Sequence, residues 1–369
     1  MLAAWLGGRT ASAQVTPAAG STPPDDTPKV SVGGVIFTDY TYTDAPQIKD
    51  ADGNLVHKSE FEVRRAYVNV TGQVSHLVAF RITPDIAARE ATSTTASGLP
   101  TGASVSASNN YDGSLVFRLK YAFAQLNLDE ALKSHGAWIR LGQQQTPFVD
   151  FMEGIYRYRF QGTIFSEREG YLSSSDVGVS AHYSLPHDYG DIHAGFYNGD
   201  TYSKAEVNDQ KAFQVRGTLR PLARRAVLKG LRLTAFYDHD QPVKDASRER
   251  FDGALTFEHQ YLNLGIDYLD TKDQTSVKKA EVDANGWAVW VTPRTKFGLE
   301  GLLRFDDLKP NKDVDGRKKR TLVGASYWFK VQKPSVAAAL LADYEQVRYD
   351  PLLARPEEKR FEIKALINF

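Results

Sequence analysis

Apolar and polar residues alternate along most of this chain. In "EFEVRRAYVNVTG", Ala66, Val68 and Val70 alternate with Arg65, Tyr67 and Asn69; in "LVAFRITPD", Val78, Phe80 and Ile82 alternate with Ala79, Arg81 and Thr83. The same period returns in "FQVRGTLRP", which sets Phe213, Val215, Gly217 and Leu219 against Gln214, Arg216, Thr218 and Arg220. "LRLTAFYDHD" sets Leu231, Leu233, Ala235 and Tyr237 against Arg232, Thr234, Phe236 and Asp238, and "FGLEGLLRFDD" places Phe297, Leu299, Gly301, Leu303 and Phe305 opposite Glu300 and Arg304. A period of two sends successive side chains to opposite faces of a strand, so each segment predicts a β-strand with one apolar and one polar face.

The links between these strands are unequal. Short ones occur at "GQVS", "DEALKS", "PHDY", "PLARRAVLK", "QY", "TPRT" and "VQKP". Between them lie longer, more polar links: 43–59, 87–112, 147–175, 201–209, 242–249, 272–284, 309–318 and 350–358. Together they join about sixteen strands. Short turns at one end and long loops at the other are the pattern of an outer-membrane β-barrel, which closes its sheet to leave no edge in lipid. A soluble sandwich or propeller would instead show strands apolar on both faces or a blade-length repeat. The fold predicted is all-β: a transmembrane antiparallel barrel with short periplasmic turns, long extracellular loops and both termini on the periplasmic side. One strand breaks phase. In "SLVFRLKYAFAQLNL", Arg118 and Lys120 fall in register with Ala122, Ala124, Leu126 and Leu128. Either a bulge near Tyr121 resets the alternation or these cations lie beyond the membrane at the strand's outer end.

Composition narrows this further. The longest apolar run, "VAAALLA" from Val336 to Ala342, is far short of the roughly 20 residues a membrane helix needs. Zero net formal charge gives no support to nucleic-acid binding. The chain has no cysteine, which removes disulfides, thiolate metal sites and c-type haem attachment. At the N-terminus an apolar "MLAAWLGG" precedes Ala11 and Ala13 in the A-x-A spacing of a signal-peptidase site. Residues 1–13 are therefore expected to be a residual signal peptide, 14–29 a flexible Pro/Thr-rich leader, and 30–369 the barrel. At the other end, "RFEIKALINF" directs Phe361, Ile363, Ala365, Ile367 and Phe369 to lipid, and this strand is expected to close the sheet against the first one near Val30.

Four blocks carry a resemblance: "FEVRRAYVNVTG", "LKYAFAQLNL", "WIRLGQQQTPF" and "DIHAGFYNGD". In order and spacing they resemble the phosphate-selective porin O and P family of Gram-negative bacteria, most clearly over residues 60–200. The resemblance implies a sixteen-stranded outer-membrane channel, commonly a homotrimer, with its third loop folded into the lumen. It also implies an anion path lined by basic residues. Here the lumen-phase cations Arg65, Arg81, Arg140, Arg216, Arg220, Arg232 and Arg304 are answered by Asp238, Asp252, Glu258, Asp267, Glu300, Asp306, Asp343, Glu345 and Glu362. The wall is expected to be basic in its first half and acidic in its second, a transverse field rather than a ring of one sign.

The candidate constriction is 147–175, a long segment without a clear strand, of the kind that is usually functional. It carries Tyr156, Arg157, Tyr158, Arg159, Arg168 and Tyr171 beside Asp150, Glu153, Glu167 and Glu169. Fixed guanidinium and carboxylate groups in a narrow wet lumen orient polar solutes and filter them by charge and size. The competing reading is an ordinary external loop. "DADGN" (Asp50 to Asn54) and "NKDVDG" (Asn311 to Gly316) resemble fragments of a calcium loop but lack its remaining ligands and read as loop tips. The basic "DGRKKR" (Asp315 to Arg320) suits lipopolysaccharide phosphates by charge alone. No nucleophile elbow, Walker loop or metal motif is present, and neither catalysis, cofactor nor metal is expected.

The reading is a porin of the Gram-negative outer membrane for passive diffusion of small hydrophilic solutes, with phosphate-like anions as its sharper form. Its partners would be outer-membrane lipid, lipopolysaccharide, two further copies of the chain, and the barrel-assembly machinery reading Phe369. Two rivals stand beside it: a barrel sheathing a partner such as a multihaem electron carrier, and a plugged structural or adhesive barrel.

Overall fold

The structure, a computed structural model, describes residues 26–88, 94–95, 106–107, 115–204, 206, 208–331 and 336–369. The expected signal peptide and most of the leader lie outside these residues. The strands are β1 (Lys29–Lys49), β2 (Leu55–Gln73), β3 (Val78–Ala88), β4 (Thr94–Thr95), β5 (Ser106–Ala107) and β6 (Leu115–Asn127). They continue as β7 (Trp138–Gln145), β8 (Ser175–Ser184), β9 (Gly190–Tyr197), β10 (Ala212–Leu219), β11 (Leu231–Val243) and β12 (Ala246–His259). The last are β13 (Leu262–Asp273), β14 (Val282–Pro293), β15 (Leu299–Lys309), β16 (Lys318–Trp328), β17 (Ala337–Tyr349) and β18 (Glu358–Asn368). Apart from the two-residue ribbon β4–β5, all of them join one closed antiparallel barrel of sixteen strands, in which β1 pairs with both β2 and β18.

Closure follows from the two-faced strands. Leu233, Leu255, Ile266, Val289, Leu303, Val323, Leu340 and Ile363 are exposed on the outer face of consecutive strands, while Thr234, Thr256, Asp267, Thr292, Arg304, Asp343 and Lys364 are buried inside. A belt of this extent far exceeds the patch of roughly a few hundred Å² that a soluble monomer leaves open. Paired outward aromatics edge it. Tyr40–Phe61 and Tyr344–Phe361 (4.8 Å each) and Trp287–Phe305 (5.4 Å) lie towards the long-loop end, and Tyr327–Phe329 (5.1 Å) towards the turn end. Such girdles sit at the two membrane interfaces of a barrel.

Two expected long links are not long. Over 43–59 the strands run on as a ladder to Lys49↔Leu55, leaving only residues 50–54 to turn. Over 242–249, β11 and β12 pair to Val243↔Ala246 around residues 244–245. In both places polar strand ends continue the hairpin past the apolar belt, where polarity on both faces hides the strand from a hydrophobic pattern. On the turn side, 220–230 is the longest link preceding β11 and contains several backbone-bonded turns.

The phase break in β6 is a bulge. Thr83 pairs with Tyr121 and Pro84 with Leu119, so Lys120 has no partner across the ladder and both Lys120 and Tyr121 point inward. A second bulge lies in β2, where Phe37 pairs with Arg65 and Thr38 with Val63, leaving Arg64 as the extra residue. Each bulge gives the lumen two adjacent inward side chains where regular pleating would give one.

Candidate functional site

The segment between β7 and β8 turns into the barrel rather than away from it. It carries α2 (Val149–Tyr156) and α3 (Phe165–Arg168), which follow a short helix α1 (Asp129–Leu132) in the turn before β7. Phe148 packs on Phe236 of β11 at 5.3 Å, and Asn263 of β13 donates its amide to the Ile155 carbonyl at 2.8 Å. The helix ends at Arg157, whose φ of 66° turns the chain.

An aromatic run then crosses the lumen. Tyr156 meets Trp290 of β14 at 5.3 Å, Tyr158 meets Trp328 of β16 at 5.9 Å, and Phe160 reaches Phe37 of β1 at 6.5 Å. The wall answers with Leu302, Leu322, Leu341 and Leu366, buried at inward positions of β15, β16, β17 and β18 in the same apolar cluster. Full burial of one such side chain stabilises by roughly 1.5–3 kcal/mol, so packing holds the loop as firmly as its charges do.

Polar groups fix its position. The Tyr158 hydroxyl lies 3.0 Å from Glu300 and 2.7 Å from Ser326, and Arg157 reaches Glu300 at 3.4 Å. Glu345 accepts from Arg168 and Arg320 at 2.5 Å each and lies 3.2 Å from Arg360. Glu169 is closed by Lys318 at 2.7 Å and Arg320 at 3.0 Å. Arg304, paired with Asp306 at 2.8 Å, donates to the Thr163 carbonyl at 2.7 Å. Thus Tyr156, Arg157, Tyr158, Arg168 and Glu169 turn towards β14–β17. Asp150 turns to β6, accepting from Tyr121 at 2.9 Å. Glu153 pairs with Arg159 at 2.7 Å within the loop, and Glu167 accepts the Ser174 N–H at 3.0 Å.

The wall differs from a simple split between basic and acidic halves. On the acidic side Glu300, Asp306 and Glu345 are neutralised in place by Arg157, Arg304, Arg168 and Arg320, and Glu362 by Lys364 at 2.9 Å, while Asp238, Asp252, Asp267 and Asp343 have no cation at ion-pair distance among the described residues. On the basic side Arg64 pairs with Asp39 at 2.6 Å, and Arg65 and Arg118 share Asp85 at 2.7 and 2.9 Å. Arg81 is held by Thr83 and Asn69 at 2.9 and 3.1 Å, beneath the Tyr121 ring at 4.3 Å. Arg140 is held by Gln125 and Gln145 at 2.8 and 3.2 Å and lies 3.7 Å from the Trp138 ring centroid. The Lys120 ammonium stands 5.0 Å from the Tyr67 ring and 5.3 Å from that of Tyr121. Among the described residues, neither Lys120 nor Arg140 has a carboxylate at ion-pair distance; amide oxygens and aromatic faces orient them instead.

Arg216 is buried, donating to the Pro147 carbonyl at 2.7 Å and to Asp191. Arg232 pairs with Glu258 at 2.9 Å near the turn end. Arg220 lies just beyond the end of β10, at the turn end of the barrel, where it donates to the Lys229 carbonyl at 2.9 Å. Sequence reasoning missed Arg64 and left Lys120 undecided because both are bulge residues. The alternation of "RFEIKALINF" does place Lys364 inward beside Glu362, but Arg320 was read as part of the external "DGRKKR" cluster, and a stricter count of inward positions on β16 would have found it.

The architecture is that of known porins. The anion-selective porin of Comamonas acidovorans superposes with a TM-score of 0.60 at 10% identity, covering 93% of this chain and 100% of that one. The outer-membrane channel DcaP of Acinetobacter baumannii gives 0.59 at 13% identity, covering 95% and 100%. OmpF of Salmonella typhi, solved with daunomycin, gives 0.58 at 13% identity, covering 93% and 98%. No family model and no curated protein matches the sequence. At these identities the likeness is one of fold.

Proposed function

We propose that this chain is a channel of the Gram-negative outer membrane through which small hydrophilic solutes diffuse passively, with phosphate-like anions favoured. One observation carries the anion preference. Glu300, Asp306 and Glu345 of the acidic wall are spent on arginines that hold the third loop, whereas Lys120 and Arg140 have no carboxylate at ion-pair distance among the described residues and keep their charge for a solute. The passive character rests on the porin fold, in which the long loops are extracellular and the turns periplasmic. Assembly as a homotrimer, contact of the exposed Lys319 of "DGRKKR" with lipopolysaccharide phosphates (Lys318 and Arg320 of that cluster turn inward to Glu169), and recognition of Phe369 by the barrel-assembly machinery belong to the same reading.

The folded-in loop weighs against a barrel sheathing a second polypeptide, because its aromatic run extends from Trp290 on β14 to Phe37 on β1. Planar-bilayer recording tests the proposal. Discrete channels, a reversal potential of anion-selective sign in a salt gradient, and a larger conductance after shortening 149–168 are expected. A barrel that never conducts would be the plugged, structural alternative; cation selectivity would remove the phosphate reading and leave a general porin.

A further inference from the structure

On the outer face of the seam between β1 and β18 lies a groove of about 410 Å³. It forms because small residues sit between large ones. Ala365 of β18 stands opposite Leu340 of β17 on one side and Thr38 of β1 on the other. One row higher, towards the long loops, Ile363, Tyr40 and Phe61 make its upper wall. Phe61 is 86% exposed, so its ring stands out from the barrel beside the groove. The lining is largely apolar and faces lipid.

Above the groove the neighbouring strands carry cations on the same face. Lys319 of β16 and Arg348 of β17 are direct partners across the ladder, and both are exposed. Like charges placed directly opposite repel. Lys359 of β18 lies beside them, opposite Gln346 of β17. Among the described residues one carboxylate, Glu357, is at ion-pair distance from this group; Arg348 and Lys359 share it at 3.2 and 2.8 Å, and Lys319 has none. The patch keeps a surplus of positive charge.

The spacing of patch and groove fits one lipid molecule. From Lys359 to Ala365 the chain runs down β18 within a single strand. At about 3.4 Å per residue and a tilt of about 40°, that is roughly 16 Å of depth. Half of the hydrocarbon core is about 15 Å thick. The ring pair Tyr344–Phe361 lies between, at the interface between headgroups and chains. We infer that this face binds lipopolysaccharide, with the phosphates of its lipid A on Lys319, Arg348 and Lys359 and an acyl chain in the groove over Ala365. Phosphate suits an arginine flanked by lysines because charge-assisted hydrogen bonds to it are strong. The zwitterionic headgroup of an ordinary phospholipid brings no net negative charge and would leave the patch unneutralised. The inference deepens the lipopolysaccharide contact proposed for Lys319 and rests on that reading's orientation, long loops outward.

Native mass spectrometry of the detergent-folded protein with diphosphoryl lipid A, phosphatidylethanolamine and inorganic phosphate tests it. Lipid A should bind at least about tenfold more tightly than phosphatidylethanolamine, and inorganic phosphate should not displace it. Lys319→Gln combined with Arg348→Gln should weaken lipid A by about tenfold or more. Ala365→Phe, which fills the groove, should weaken it severalfold, while both variants keep their heat-dependent gel mobility. A benzophenone amino acid in place of Phe61, irradiated in cells, should cross-link to lipopolysaccharide. The inference is overturned if lipid A binds no better than phosphatidylethanolamine, if inorganic phosphate displaces it, or if either variant binds as wild type does. It is equally overturned if position 61 cross-links to a second copy of the chain instead. Lipid A binding without bilayer conductance would sink the channel reading alone.

Discussion

Gly34 and Phe369 exchange both backbone hydrogen bonds, Gly34 N–H to the Phe369 carbonyl at 2.9 Å and Phe369 N–H to the Gly34 carbonyl at 3.0 Å. They are the last rung of the seam between β1 and β18. The Phe369 ring lies over Gly34 so closely that a Cβ there would stand 2.6 Å from its Cζ. The aromatic terminus is therefore fitted to a strand that leaves it room.

Two changes probe this seam. Deleting Phe369 removes a pair of hydrogen bonds and an outward ring from the position that closes the sheet. Gly34→Val keeps Phe369 but drives its ring away. Both are expected to lower the fraction of heat-modifiable folded barrel severalfold in reconstitution and in cells. If deletion hurts cellular assembly much more than refolding in detergent, Phe369 acts chiefly as an assembly signal rather than as a structural rung.

Glu345 is fully buried among Arg168, Arg320 and Arg360, with Gln161 as a fourth partner at 3.0 Å. Replacing it with Gln keeps the shape and leaves guanidinium groups of the loop and wall uncompensated. Removing one member of a buried ion network costs about 3–5 kcal/mol. Glu345→Gln should lower unfolding free energy in urea by about that amount and raise current noise as the third loop loosens. Arg348→Gln on the same strand, exposed and paired among the described residues only with Glu357 at 3.2 Å, should change stability by less than about 1 kcal/mol.

In the proposed reading Lys120 and Arg140 would carry the anion preference, so they are the residues to neutralise. The double variant Lys120→Gln, Arg140→Gln should shift the reversal potential towards cation selectivity and weaken block of chloride current by phosphate several-fold. Lys133→Gln, in the turn after α1, should leave both unchanged. A double variant with wild-type reversal potential would remove these residues from the solute path.

The barrel was legible because its outer face obeys one rule on every strand: Leu233, Leu303 and Ile363 alternate with inward polar groups, and lipid enforces that rule at each position. The lumen obeys no such rule. Leu302, Leu322, Leu341 and Leu366 sit at inward positions and read as exceptions until the loop is seen lying on them. Their partners Tyr158 and Phe160 are more than a hundred residues away in sequence, so no local period links the two sets. The same distance hid the ion pairs. Glu300 and Glu345 looked like an acidic wall, because their partners Arg157 and Arg168 belong to the loop.

The bulges were legible only as a broken phase, and that break makes the last prediction. Before Lys120, Phe117 and Leu119 point outward; after it, Ala122 and Ala124 do. Deleting Lys120 would join the two halves into one continuous alternation, so every remaining side chain keeps its face. The cost is local: the Lys120 carbonyl accepts from the Ser175 hydroxyl at 2.6 Å and from Gln143 at 3.1 Å. Losing these bonds costs about 1–3 kcal/mol, which a closed barrel of this size should survive. Deleting Phe123 is different, because it would shift one side of the strand by a residue and turn Gln125 and Asn127 towards lipid. The variant lacking Lys120 should therefore fold and conduct with reduced anion selectivity, and the one lacking Phe123 should fail to form a heat-modifiable barrel. Equal failure of both would mean that the bulge itself, not the charge it presents, is what the barrel requires.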